Sequence, residues 1–521
     1  MLKRILCLVL TLMMLPLPAL ATNVEDSIVI GMQAVNTYEL RPLLPLERDI
    51  ISVYSLIYES LVTIDDNGIP QPHLAEKWEE TGDGKTWIFT LRDNLTFSDG
   101  QPLTAYDVAA SGQWLLNLAN NDQGLDKGFY ANIRYLVSSF TARDDKTVEV
   151  KAKRPYYGLL YSMDFPVVPM AQVDLTNPVG SGPYIVTSFS MDNTGGYLLL
   201  SVNENWWQTL PKVQEITLRL FKNTKEMISA YEYGQVDAVF TRSVAAAQYR
   251  SGLSSLSIAY STRQLETLLL NHRERSFPLD NLNVRKAIRY AINVEAIARN
   301  VYMGMTIDAD TPYSSDSWLY LDQESTFVYN PERAKALLAA EGWSDLDGDG
   351  ILDFPVEGAE EPKHLVLGLH VYEDPDNDVR YETANMIVDD LAKIGISVHI
   401  EETDYAGAPE ILEAGSFDMF LCSFQMDTVP DPGFFLRQGN TQNYGRQASK
   451  AMSELIDTLR EEESQTGFAY ASQAIQQQFA EEVPFICLFY RAGAILTRKM
   501  YTTVRSIREF ELLRGIEAFG R

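Results

Sequence analysis

The chain predicts an α/β fold of more than one domain, on three observations. It has 521 residues, 46% of them hydrophobic, enough to bury a core larger than one compact unit holds. Short apolar runs of strand character, such as Ser27–Gln33, Val236–Phe240 and Asp418–Phe424, alternate with stretches of helical periodicity. After the N-terminus, no run approaches the ~18–20 apolar residues that a membrane span needs.

Lys3 and Arg4 lead an apolar run, Ile5–Leu17, that ends in Ala19-Leu20-Ala21. A basic start, a short apolar centre and small residues at a cleavage site read as a secretory signal over 1–21, with the mature chain starting at Thr22. Cys7 sits inside the apolar run, a poor lipoprotein acceptor, so the expectation is an exported, unlipidated, periplasmic protein. The formal charge is −28, and it becomes −30 when Lys3 and Arg4 leave. Such a surface repels nucleic acid and anionic headgroups. Of the two remaining cysteines, Cys422 and Cys487, export permits a disulfide, but their apolar runs favour two buried small hydrophobes.

The elements follow in order. Ser27–Gln33 reads as a first buried strand, and Ala34–Pro45 as a loop leaving its end. Glu47–Leu61 carries the stripe Ile50, Val53, Tyr54, Ile57 and Leu61 of an amphipathic helix. Leu74, Ala75 and Trp78 are apolar at helical spacing. Asp83-Gly84 turns the chain into a strand with Trp87, Phe89 and Leu91 on one face. Thr104 caps a helix from Ala105, with Asp107 in its first turn. Paired strands are expected near Val137–Val150, and strands again at Tyr197–Val202 and Val213–Phe221, with a short helix at Glu226–Gly234. Val284, Ala287, Ile288, Ala291 and Ile292 form one core-facing helical stripe. Asn330-Pro331 opens a helix that Gly342 closes. A helix at Asn385–Lys393, a strand at Ser397–Glu401 and a last strand at Pro484–Tyr490 follow.

Several apparent motifs carry no chemistry. Gly84-Lys85-Thr86 mimics the end of a phosphate loop, but Glu79 stands where its first glycine must be. Gly180-Ser181-Gly182 lacks the preceding glycine of a nucleophile elbow. The five histidines are scattered, so no zinc or nickel cage is argued from them. The chain therefore reads as no enzyme. One metal signal is better: Asp345, Asp347, Asp349 and Asp353 occupy positions 1, 3, 5 and 9 of a calcium loop with glycine at 6. Position 12 is Val356, so the closing glutamate is missing, and tight turns alone also explain the Asp and Gly residues.

The order of words in Tyr58–Leu116, with "YESLVTID", "DGKTWIFTLRDNLTFSDGQPLTAYDV" and then "NPVGSGPY", "VRKAIRYAIN" and "YNPERAKALLAAEGW", resembles the extracellular solute-binding proteins of family 5. The resemblance spans most of the mature chain. It implies a two-lobed periplasmic-binding-protein fold, a hinged clamshell with an extra subdomain in the first lobe. The implied division is 22–57, 178–264 and 490–521 for the first lobe, 58–177 for the extra subdomain and 265–489 for the second lobe. It implies a monomer that captures a di- or oligopeptide and hands it to the permease and ATPase of an ABC importer. A nickel chelate or an oligosaccharide is the alternative solute, because fold does not fix ligand. A secreted hydrolase is the rival class, and no nucleophile, base and stabiliser stand together for it.

Peptide-binding members carry an aspartate just after the strand that corresponds to Asp418–Phe424, and it pairs with the peptide's ammonium. In Phe424-Gln425-Met426-Asp427-Thr428-Val429-Pro430 the candidate is Asp427, with Phe424 and Gln425 before it. The family acid usually stands one position nearer the proline of Asp431-Pro432, where this chain has Thr428. Either the loop carries an extra residue or the anchor has been lost. Val35, Asn36 and Tyr38, on the loop after the first strand, are further ligand-contact candidates.

Overall fold

The computed structural model describes residues 27–516, apart from Asn36, Leu46 and 121–128, 250–255, 274–276, 323–326, 359, 373–378 and 499–506. The signal segment 1–21 and Thr22 lie outside the described residues. Among the described residues no helix is long and apolar enough to cross a membrane.

One 11-stranded sheet runs through the molecule. Two long strands at its middle, Leu256–Leu270 and Phe485–Thr497, pair antiparallel. On one side follow Ala238–Thr241, Ser27–Gln33, Glu215–Phe221, Gly195–Val202 and Tyr184–Asp192. On the other follow Met419–Gln425, Val366–Tyr372 and Ser397–Thr403. All 13 residues of Phe485–Thr497 are buried, which is why that strand is a nearly unbroken apolar run and not an alternating one.

Ser27–Gln33 is the strand its composition predicts, with parallel neighbours on both edges. The helix after it spans Arg48–Ile57, shorter than the stripe suggested. Leu61 is buried beyond its end. The stripe Val284, Ala287, Ile288, Ala291 and Ile292 is fully buried in the second lobe's core, on and just past the helix Leu282–Ala291. Asn330 caps the helix Pro331–Ala340 by accepting the Arg333 N–H at 2.9 Å.

The helical spacing of Leu74, Ala75 and Trp78 misleads. Ala75–Glu80 is a strand paired with Thr86–Leu91, and Trp78 stands opposite Phe89. Three apolar positions are too few to fix a period, and the turn at Asp83-Gly84 folds the segment onto its neighbour. These two strands, with Thr147–Ala152 and Val137–Ala142, make a separate four-stranded antiparallel sheet. The helix Ala105–Ala119 starts in a capping box formed by Thr104 and Asp107.

The Asn177–Tyr184 reversal passes hard against the first helix's end. A Cβ at Gly180 would lie 2.0 Å from the Ile57 carbonyl oxygen, so only glycine fits there.

Cys422 and Cys487 are buried free thiols. Both stand opposite Thr267, one on each side of Leu256–Leu270. A whole strand between them sets them roughly 10 Å apart, beyond the ~7 Å reach of a disulfide.

Candidate functional site

The two long strands do not stay in register. Leu256 to Ser261 pair with Thr497 to Ala492, the ladder slips, and pairing resumes at Leu265 opposite Tyr490. Thr262, Arg263 and Gln264 lie in the slip. Such an irregularity frees side chains from the sheet's alternation and re-aims them. The freed backbone finds other partners: Arg263 N–H donates to a Glu509 carboxylate oxygen at 3.1 Å, and Met426 N–H donates to the Arg263 carbonyl at 2.8 Å.

A cavity of about 170 Å³ opens on this slip. Its walls come from Ser261–Arg263, the loop Met426–Pro432, the segment Pro312–Leu319, the turn at Asn67-Gly68, Tyr161 and the tail residues Arg508 and Glu509. A larger cavity of about 800 Å³ adjoins it, and Ile64, Arg263, Thr428, Arg508 and Glu509 line both. Arg508 is fixed by the carbonyls of Asp65 and Ile64 at 2.8 and 2.7 Å. Glu509 is held by Arg48 and Arg242.

Asp427 is the unmatched charge of the smaller cavity's loop. Its Oδ1 accepts from the Thr428 hydroxyl at 3.0 Å and the Val429 N–H at 3.2 Å. The Arg263 guanidinium donates to its main-chain carbonyl at 2.5 Å, and no cation pairs with its carboxylate among the described residues. Burial raises its pKa against the lowering effect of those hydrogen bonds and of Arg263. A half-buried carboxylate without a counter-ion, on the wall of a cavity, is suited to bind a cation.

Residues 70–446 match the model of the bacterial extracellular solute-binding proteins, family 5 Middle. The chain belongs to that family. It is 27% identical over 325 residues to the nickel-binding periplasmic protein of Escherichia coli, covering 60% of each chain. It is 25% identical over 423 residues to the dipeptide-binding protein of the same organism, covering 75% of each. The heme-binding protein A of Haemophilus influenzae is 22% identical over 491 residues, 87% of this chain and 84% of that one. Among solved structures, NikA from Brucella suis in complex with Fe(III)-EDTA superposes with a TM-score of 0.76 at 21% identity, over 94% of this chain and 99% of that one. AppA from Bacillus subtilis in complex with a nonapeptide gives 0.67 at 21% identity, over 94% and 98%. These likenesses establish the two-lobed family-5 fold.

Within this family-5 chain, the structure separates the sequence candidates. Asp427 lines the smaller cavity. Phe424 does not line either cavity: it is buried in its own lobe between Phe435 and Tyr444, with ring centroids 4.8 and 6.3 Å away. An aromatic on a central strand finds packing partners before it finds a ligand. Gln425 is exposed and lines neither cavity. Val35 and Tyr38 also stand apart from both. The Val35 N–H donates to the Glu47 carboxylate at 3.0 Å, and Lys222 lies 4.7 Å over the Tyr38 ring. Asn36 lies outside the described residues. Arg263, Tyr161, Trp318 and Arg508 were not singled out in the sequence. A lone arginine entering an apolar strand was the one available signal, for Arg263.

The acidic loop is arranged as two overlapping groups. Asp345, Asp347 and Asp353 bring carboxylate oxygens within 4.8 Å of one another, whereas Asp349 groups with Asp347 and His364. Every one of these carboxylates also accepts a backbone N–H of the loop: Gly348 and Gly350 to Asp345, Asp349 to Asp347, Ile351 to Asp349, and Leu346 to Asp353. Asp353 is fully buried, with His364 Nδ1 2.7 Å from its Oδ1. These donors close the turn by themselves.

Proposed function

We propose that this chain is the exported substrate-binding protein of an ABC importer, and that its solute is a peptide with a free amino terminus. The peptide is captured between the lobes and delivered to a membrane permease. What carries the reading is Asp427, a carboxylate without a counter-ion on the wall of the smaller cavity. An ammonium there gains a charge-assisted partner that water otherwise supplies. The ladder slip at Thr262–Gln264 is the natural hinge, and the ligand stabilises whichever lobe arrangement it touches on both sides. Nothing is turned over: the solute leaves as it came.

The experiment is a calorimetric cycle with Asp427→Asn and an N-acetylated peptide. Loss of either member of a buried ammonium–carboxylate pair costs on the order of 2–5 kcal/mol of binding. The two changes delete one contact, so their effects should be non-additive. Equal binding of free and acetylated peptide by the wild type would reject the anchor.

A further inference from the structure

We propose that Asp164 makes the larger chamber a second cation site, so that this chain selects solutes bearing two positive groups, such as a peptide with a free amino terminus and a basic first side chain. The inference rests on the peptide reading above and extends it from the terminus to the side chain.

Asp164 follows the 3-10 turn Tyr157–Met163 and lines the larger cavity beside Tyr130, Arg263 and Thr428. It forms no ion pair among the described residues. The other charges of that chamber are accounted for. Glu509 is held by Arg48 and Arg242, and Glu511 by Arg508 and Arg514. Arg92 donates to the His73 carbonyl at 2.6 Å and lies over the Trp207 ring. Arg263 donates through Nε to the Glu509 carbonyl and through Nη1 to the Asp427 carbonyl, and its charge acts on Asp164 without a direct ion pair. Lys212 is exposed.

A second observation comes from another residue of the wall. Glu59 is only 2% exposed and lines the same cavity. Its Oε1 accepts the indole N–H groups of Trp206 and Trp207 at 3.0 and 2.9 Å and lies 3.3 Å from His73 Nε2. Its Oε2 has no hydrogen-bond partner. The chamber thus holds Asp164, which lies in the field of Arg263 but forms no ion pair among the described residues, and Glu59, which has one oxygen without a hydrogen-bond partner; Arg263 and Thr428 join the chamber directly to the Asp427 cavity.

Electrostatics agrees with the geometry. Burial drives the Asp164 carboxyl up to about 7, with Asp427 and Glu511 raising it further and Arg263 pulling it down. Near neutral pH the empty site therefore keeps part of a proton on Asp164. An arriving cation takes over the role of that proton, which leaves to solvent.

Isothermal calorimetry on the intact protein tests this with lysyl-alanine and norleucyl-alanine, which differ mainly by the side-chain ammonium. The wild type should prefer lysyl-alanine by tenfold or more and release protons on binding it at pH 7, read from buffers of different ionisation enthalpy. In Asp164→Asn the preference should shrink below threefold and the release should vanish, while Asp164→Glu keeps much of both. Equal affinity of the wild type for the two peptides would overturn the second site and leave the Asp427 anchor standing. A preference that survives Asp164→Asn would overturn the assignment to Asp164. If neither peptide binds, the peptide reading falls, and cadaverine decides the rest. Binding of this diamine that Asp164→Asn weakens supports the second cation site, and no binding overturns it too.

Discussion

Arg263 positions Asp427 through the main chain and not through an ion pair. Its guanidinium donates to the Asp427 carbonyl at 2.5 Å, and its own carbonyl receives the Met426 N–H at 2.8 Å. The long strand Leu256–Leu270 and the Asp427 loop are thereby tied at two points across a sequence separation of 164 residues.

Arg263→Lys should therefore loosen the loop without removing the positive charge. Lysine cannot reach both the Asp427 and the Glu509 carbonyls with a planar fork. Each lost charge-assisted bond is worth about 1.5–3 kcal/mol, so ligand affinity should fall at least tenfold. Calorimetry beside a thermal melt separates this from unfolding. An unchanged dissociation constant would show that the tie does not set the anchor.

A second tie joins the segment Pro312–Leu319 to the 3-10 turn Tyr157–Met163 and the turn at Asn67-Gly68. Trp318 Nε1 donates to the Tyr161 hydroxyl at 3.0 Å, which donates to the Gly68 carbonyl at 2.9 Å. Close by, the Tyr157 N–H donates to the Glu462 carbonyl and Phe468 packs on Tyr156, Tyr157 and Tyr161. Tyr161→Phe removes both hydroxyl bonds and keeps the packing. It should cost about 1–2 kcal/mol of closure, seen as weaker binding and a larger radius of gyration in scattering of the free protein. A radius identical to that of the wild type would dismiss this tie.

Asp164 makes the empty protein less stable as pH rises. Its folded pKa of about 7 lies above the ordinary value of 3.8, so between them the folded state binds more protons than the unfolded one. The associated stability is complete below the unfolded pKa and is lost as pH climbs through the folded one. Relative to Asp164→Asn, the wild type should lose on the order of 2–4 kcal/mol between about pH 4 and pH 7.5. Urea unfolding of both proteins across that window measures it. A difference that stays constant with pH would contradict the raised pKa of Asp164.

The acidic loop already closes on its own backbone donors. Chelation with EGTA should thus move the melting temperature by less than about 2 °C, since only binding to the native state adds stability. A rise of several degrees on adding millimolar calcium, abolished by Asp345→Asn, would instead place an ion among Asp345, Asp347 and Asp353.

Much of the local architecture was legible in the residues. The Thr104–Asp107 capping box, the Asn330-Pro331 helix start and the buried stripe from Val284 to Ile292 are set by groups within a turn or two of one another. Such signals depend on backbone geometry alone, so they survive whatever the rest of the chain does. Where the local pattern was thin, as at Leu74, Ala75 and Trp78, pairing with a neighbouring strand overrode it.

The sequence by itself determined the α/β pattern, the family word order and Asp427 as an anchor candidate. Only the tertiary structure decided that Thr267 stands between Cys422 and Cys487, that Phe424 is packing, and that Arg263, Asp164, Tyr161 and Arg508 surround the cleft. Periodicity reports which face of an element is buried, because burial repeats with the helix or strand. A cleft is made of single polar residues from distant loops, and these leave no periodic trace; the strand pairing and its slip at Thr262–Gln264 bring them together.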